Sequence, residues 1–238
     1  MTATLTTIGF DADDTLWQNE RFFRLTQARF AGLLSDFADP DHLHDRLIAA
    51  ERRNIGRYGF GIKGFVLSMI ETAIEVTEEK VPARVIAELI AAGQEMLSHP
   101  IELLPAAREV VEALSDDFRL VLITKGDLLD QERKLAQSGL GELFDGVEIV
   151  SQKTPAVYAE IFARHGDGAG RGLMVGNSLR SDVIPMIAAG GWGVHVPHDL
   201  TWALEEAEPP EHEARFCRIA SLAELPTTVA GVTGWQQM

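Results

Sequence analysis

"IGFDADDTLW", residues 8–17, places Asp11, Asp13 and Asp14 within four positions, directly after a short apolar run. The run, residues 5–10, predicts a buried strand that ends at the aspartates. Carboxylates this close repel one another, so positive charge is expected beside them. After Pro105 the chain alternates regularly. "REVVEAL" predicts a helix, "FRLVLIT" a strand, and "DLLDQERKLAQSG" a helix closed by Gly139. "GVEIV", "GLMVG" and "WGVHVP" predict further strands, with the helices "PAVYAEIFARHG" and "SDVIPMIAAGG" between them. "RFCRIA" reads as a last strand and "SLAELPTTV" as a last helix. Such alternation predicts an α/β fold, a doubly wound parallel sheet covered on both faces. Ligands of such sheets bind beyond the carboxyl ends of the strands, so the residues there are read together.

Residues 18–100 have a different pattern. Phe22, Leu25, Arg29, Leu33 and Phe37 follow helical spacing, flanked by Phe23, Phe30 and Leu34. Val66, Met69, Ile70, Ala73 and Ile74 repeat it, and "PARVIAELIAAGQEML", 82–97, predicts a helix with Pro82 in its first turn. Four glycines interrupt "RNIGRYGFGIKGF", 53–65, which predicts a loop between two helices. This loop carries Arg53, Arg57, Tyr58, Phe60 and Lys63, basic and aromatic groups in an otherwise acidic chain.

The chain has 238 residues, enough for one large domain or a core with an insert. Its net charge of −15 opposes binding to nucleic-acid phosphates. No apolar stretch reaches the roughly 20 residues that span a bilayer. The start, "MTATLTTIGF", has no basic region or long apolar segment of a secretory signal. The single cysteine, Cys217, cannot form an intramolecular disulfide and fits a reducing cytoplasm. "EEAEPPEHE", 205–213, reads as a solvated loop.

Four predicted strand ends carry polar groups suited to phosphate chemistry. The first carries Asp11, Asp13 and Thr15; the second Thr124, Lys125 and Gly126; the third Lys153. The fourth, "LMVGNSLRSD", carries Gly176, Asn177, Ser178, Ser181 and Asp182. Oxygen ligands with few nitrogens suit Mg²⁺.

This constellation resembles the haloacid dehalogenase superfamily, specifically its phosphatase branch. All four family motifs can be placed in order at strand ends. The resemblance implies a Rossmann-like core from residues 1–17 and 101–238, with residues 18–100 as an inserted helical cap. It implies that Asp11 attacks phosphorus and that Asp13 protonates the leaving oxygen and then activates water. Thr124 and Lys153 would hold the phosphoryl oxygens. Mg²⁺ would sit among Asp11, the Asp13 carbonyl, Asn177 and Asp182. Lys125, Gly126, Arg57 and Lys63 would contact substrate, the last two from a cap loop that selects the leaving group. Asn177 departs from the family pattern, which often has aspartate there, and an amide brings no charge. Asp14 stands where glycine is often found, and no catalytic role is assigned to it.

The expected activity is Mg²⁺-dependent hydrolysis of a small phosphorylated metabolite in the cytoplasm, through an aspartyl phosphate. A phosphomutase or phosphotransferase using the same intermediate is the rival reaction, and a non-catalytic binding protein the rival of another class. A dehalogenase would not need Asp13. A calcium loop fails, because Thr15, Leu16 and Phe22 occupy positions that require Asp or Asn, Gly and Glu. "GDGAG", 166–170, lacks the pattern of a phosphate-cradling loop, and His165, His195 and His198 read as structural. Neither substrate identity nor oligomeric state is encoded in these motifs.

Overall fold

A computed structural model describes residues 5–233, so the first four residues of the amino-terminal segment lie outside it. Six strands form one parallel sheet among the described residues: β1 (Thr7–Phe10), β2 (Arg119–Lys125), β3 (Gly146–Val150), β4 (Gly172–Gly176), β5 (Trp192–His195) and β6 (Phe216–Arg218). Their order is β3-β2-β1-β4-β5-β6. Phe10 pairs in register with Leu122 on one side and Val175 on the other. The chain therefore winds outward in both directions from β1, which places the residues after β1 at the topological switch point.

The sheet is covered on both faces, as strict alternation along buried strands requires. Ile8, Phe10, Leu120, Leu122, Leu173 and Val175 share one core with Val110, Val111 and Leu114 of α5 (Ala107–Ser115) and with Leu225 and Val229 of α9 (Leu225–Thr233). The intervening residues Val121, Ile123 and Met174 share the other core with Tyr158, Ile161 and Phe162 of α7 (Pro155–His165) and with Met186 of α8 (Ile184–Ala188). The helix expected over "SDVIPMIAAGG" begins earlier, as a π-helical turn at Leu179–Val183 that leads into α8. The helix α6 (Leu128–Ser138) follows β2 and ends at Gly139, whose φ of 67° suits the left-handed helix terminus.

The chain divides into two compact units. One comprises Met1–Glu20, Ile101–Lys125 and Gln131–Met238; the other Arg21–Pro100 with Gly126–Asp130. The two connecting segments pair within the first unit, where the Leu104 amide donates to the Leu16 carbonyl and the Gln18 amide to the Glu102 carbonyl, each at 2.9 Å.

The second unit is helical: α1 (Glu20–Leu33), α2 (Pro40–Tyr58), α3 (Ile62–Val76) and α4 (Ala83–Ser98). Phe30, Leu34, Leu43, Leu47, Phe65, Met69 and Leu89 form its core. Leu25 and Phe37, expected on the apolar stripe of α1, are exposed, and α1 ends before Phe37. Asp39 caps α2 by accepting the His42 amide, with Pro40 at the first helical position. Pro82 is the residue before α4, just outside its first turn.

The expected loop over 53–65 is overturned. Arg53–Tyr58 complete α2 and Ile62–Phe65 begin α3, so the connector is Gly59–Gly61 alone. Gly59 and Gly61 adopt φ of 75° and 120°, which explains glycine there. Gly64 lies inside α3 because a Cβ would approach the Gly59 carbonyl oxygen to 3.0 Å. Close packing thus outweighs the roughly 1 kcal/mol that glycine costs in a helix. Nothing surrounds Gly56 that explains its glycine.

Candidate active site

β1 delivers Asp11 to the centre of the first unit, where its amide donates to the Val175 carbonyl at 2.9 Å. The Lys153 ammonium donates to Asp11 Oδ1 at 2.5 Å and to Asp182 Oδ1 at 2.7 Å. These two contacts join residues 142 and 29 positions apart, and the lysine side chain is only 1% exposed. Lys153 precedes α7, whose start is fixed by Thr154 accepting the Val157 amide and by Pro155. The second oxygen of Asp182 accepts the Ser178 amide at 3.0 Å. Asp182 also packs on Gly176, where any Cβ would collide with its carboxylate.

Two carboxylates share one ammonium here, and the electrostatics reflect that. Burial, then repulsion from Asp182, raises the Asp11 carboxyl to about 7 despite Lys153. Burial works to lower the Lys153 ammonium, but Asp11 and Asp182 together outweigh it and raise its pKa. Burial also pushes the Tyr158 phenol well up, and its hydroxyl donates to the Ser181 carbonyl at 3.0 Å.

Asp13 lies close by, held by donors from two directions. Trp17 Nε1 donates to Oδ1 at 2.7 Å, Gln131 Nε2 to Oδ2 at 2.9 Å, and Lys134 Nζ to both oxygens at 2.9 and 3.1 Å. Gln131 Nε2 also meets Thr124 Oγ1 at 3.1 Å and the Lys125 carbonyl at 2.6 Å. Asp14 turns away with φ of 60° and accepts the Asn19 amide at 2.8 Å and the Glu20 amide at 3.0 Å, anchoring the start of α1. Burial, then Asp13, raises Asp14 to about 6. His198 approaches Asp14 at 3.8 Å, and His195 meets the Asn177 carbonyl at 3.0 Å.

At the end of β2, Lys125 donates to Glu205 Oε1 at 2.5 Å and to Ser181 Oγ at 2.7 Å. Glu205 also accepts Ser178 Oγ at 2.6 Å and the Ser181 hydroxyl. The acidic stretch 205–213 is irregular, as expected, but its first glutamate points inward. Burial acts against the Glu205 carboxylate, yet Lys125 and the two serines hold its pKa low. Gly126, with φ of 140°, groups with the helical unit, where Lys63 pairs with Asp127 at 3.4 Å. Arg57 is exposed on the last turn of α2.

Asp11, Asp13, Thr124, Lys153, Asn177 and Asp182 therefore converge at the carboxyl ends of β1–β4. Sequence reasoning overlooked Trp17, Gln131, Lys134 and Glu205. The spacing of Gln131 and Lys134, three apart on one helix, was the signal available. Nothing in the glutamate run distinguishes Glu205.

The oxygen atoms suit a hard cation. Thr15 Oγ1 lies 2.9 Å from Asp11 Oδ2 and 3.5 Å from Asn177 Oδ1, so a carboxylate and an amide oxygen approach the same hydroxyl. Among the described residues no group of three His, Cys, Asp or Glu side chains is arranged to hold a metal, so an ion here would draw on the Asn177 amide and backbone oxygen as well.

The chain matches the haloacid dehalogenase-like hydrolase family over residues 5–190. Comparison with curated proteins finds no match. A haloacid dehalogenase-like family hydrolase from Xanthomonas campestris is 41% identical, covering 97% of this chain and 93% of its own, with a TM-score of 0.86. A protein described as a predicted phosphoglycolate phosphatase, from Haemophilus somnus, is 17% identical over 94% of this chain and 97% of its own, TM-score 0.63. An L-2-haloacid dehalogenase from Xanthobacter autotrophicus, with chloropropionic acid covalently bound, is 16% identical over 95% and 99%, TM-score 0.66. The last two show the fold alone. Family match, close relative and shared fold agree: this chain belongs to the haloacid dehalogenase-like hydrolases.

Proposed function

We propose that this hydrolase is a phosphatase, cleaving a small phosphorylated metabolite through an aspartyl phosphate on Asp11. The observation that carries this reading is the second carboxylate, Asp13, beside the first at the same strand end. A dehalogenase needs a nucleophile but no acid for its halide leaving group; an alkoxide leaving group needs a proton.

In this reading Asp11 attacks phosphorus while Lys153 offsets charge on the phosphoryl oxygens. Thr124 donates a hydroxyl to those oxygens. Asp13 gives a proton to the leaving oxygen as its bond to phosphorus breaks, then takes one from the water that attacks the aspartyl phosphate. Asp11, the Asp13 carbonyl, Asn177 and Asp182 are the residues that would hold Mg²⁺. A bound Mg²⁺ would offset the charge that repels a phosphate from Asp11. Lys125 and Gly126, with the exposed cations Arg57 and Lys63, are proposed substrate contacts. A cytoplasmic location, with no nucleic-acid or membrane partner, is part of the same proposal. No helix among the described residues is long and apolar enough to cross a membrane.

Phosphate release measured over a panel of metabolite monophosphates, with Mg²⁺ and after chelation, tests the reading. Release from at least one ester, lost on chelation and restored by Mg²⁺, is expected. Asp11→Asn should lower that turnover by more than about a thousandfold, since it removes the bond-forming group. Full activity after exhaustive chelation would exclude the metal part, and an active Asp11→Asn the covalent part.

A further inference from the structure

We propose that Lys134, with Gln131 and Trp17, is a positioning device for Asp13, and that it determines how well the enzyme expels poor leaving groups. The inference rests on the phosphatase reading.

The geometry is unusually restrictive for a carboxylate with a proton to deliver. Both Asp13 oxygens accept two donors each: Oδ1 from Trp17 and Lys134, Oδ2 from Gln131 and Lys134. An ionised carboxylate has about four lone-pair sites, so these contacts occupy them and fix its plane, and one donor gives way when Asp13 carries a proton. The donors are themselves immobilised. Trp17 is fully buried, and Lys134 and Gln131 are buried residues. Lys134 has a further anchor at Asn19 Oδ1, 2.9 Å away, which holds the ammonium in place when Asp13 changes partners. Gln131 spans Asp13 and Thr124 with one amide nitrogen, so it locks the spacing between the acid/base group and the phosphate-holding hydroxyl.

Burying an ammonium on a helix costs free energy unless its partners repay it, and Lys134 meets both oxygens of Asp13. The function of this pair is therefore sought at Asp13. A carboxyl oriented within a few tenths of an ångström transfers a proton far better than one free to rotate. In the first step this orientation matters where the leaving oxygen needs that proton; the later activation of water is common to all esters. A phenolate made acidic by a nitro group departs without it, whereas plain phenolate departs poorly.

The test uses the full-length protein with phenyl phosphate and 4-nitrophenyl phosphate. Lys134→Met is expected to lower kcat/KM, which reports the first step, by about thirtyfold on phenyl phosphate and by less than about threefold on 4-nitrophenyl phosphate, a smaller loss than the roughly 10²–10⁴-fold of general acid–base catalysis because Asp13 itself remains. Asp13→Asn should show the same leaving-group bias, larger in size. Gln131→Leu should show it in smaller form, and it serves as the second variant where Lys134→Met fails to fold, as judged by circular dichroism. Equal losses on both esters, or no loss on either, in the folded variants would overturn the positioning role. A wild-type protein that hydrolyses neither ester nor any metabolite phosphate would instead overturn the phosphatase reading beneath it.

Discussion

Lys153 and Lys63 show how differently one residue type is used in the two units. Lys153 is buried and joins two carboxylates at 2.5 and 2.7 Å, whereas Lys63 is more than half exposed and meets a single aspartate at 3.4 Å. Burying three ionised groups together carries a desolvation penalty of several kcal/mol per ion, which only close, multiple contacts offset. An exposed pair carries almost no such penalty and stabilises by about 0–1 kcal/mol. The α/β unit thus concentrates costly charge at one place, the carboxyl ends of its central strands. The helical unit places ion pairs at its surface, as in the Arg29 pairs with Glu88 and Glu95, although Glu51 of α2 is buried.

The largest expected effect breaks the contrast from the buried side. Lys153→Met leaves Asp11 and Asp182 facing each other without their cation. Loss of one partner from a buried pair costs about 3–5 kcal/mol, so a clear fall in unfolding free energy is expected by denaturant titration. Phosphate release should fall by at least about a hundredfold as well. A Lys153→Met protein as stable and active as wild type would mean that the buried triad matters little.

An intermediate effect separates packing from chemistry within one strand. Gly176 and Gly172 both lie on β4, and an added Cβ meets Asp182 at the first and Phe162 at the second. Gly176→Ala should displace Asp182 and lower kcat by about tenfold or more, because small misplacements of site groups are costly. Gly172→Ala should destabilise by about 1–3 kcal/mol through overpacking, while the folded fraction keeps its specific activity. Activity measured per folded molecule, with melting curves for both variants, checks the distinction.

The smallest effect sharpens the contrast from the exposed side. Arg57→Ala and Lys63→Ala should each change stability by no more than about 0.5–1 kcal/mol. Under the proposed function they should raise KM for the physiological substrate and leave 4-nitrophenyl phosphate turnover unchanged. Stability losses comparable to Lys153→Met would place these exposed cations in the same class as the buried one.

Much of the α/β unit is legible in sequence because its signals are local. Each strand is a short apolar run flanked by turn residues, and each run ends where polar groups begin, as at Phe10–Asp11 and Gly176–Asn177. The helical unit is harder to read. Gly56 and Gly64 weaken the helical pattern of α2 and α3, yet both helices continue through them because helix packing outweighs local propensity. Leu25 follows the apolar period of α1 but faces solvent, since periodicity does not say which side meets the core.

By itself the sequence determined the parallel α/β class and the strand-end position of Asp11, Asp13, Thr124, Lys153 and Asp182, because chain-local hydrophobic pattern controls both. Tertiary structure decided which of those groups share a charge. The order β3-β2-β1-β4 brings Lys153 between Asp11 and Asp182, and α6 turns Gln131 and Lys134 onto Asp13. It also drew Glu205 out of an acidic run and onto Lys125, Ser178 and Ser181. Pairing of that kind depends on desolvation and on distances between residues remote in the chain, which no local pattern records.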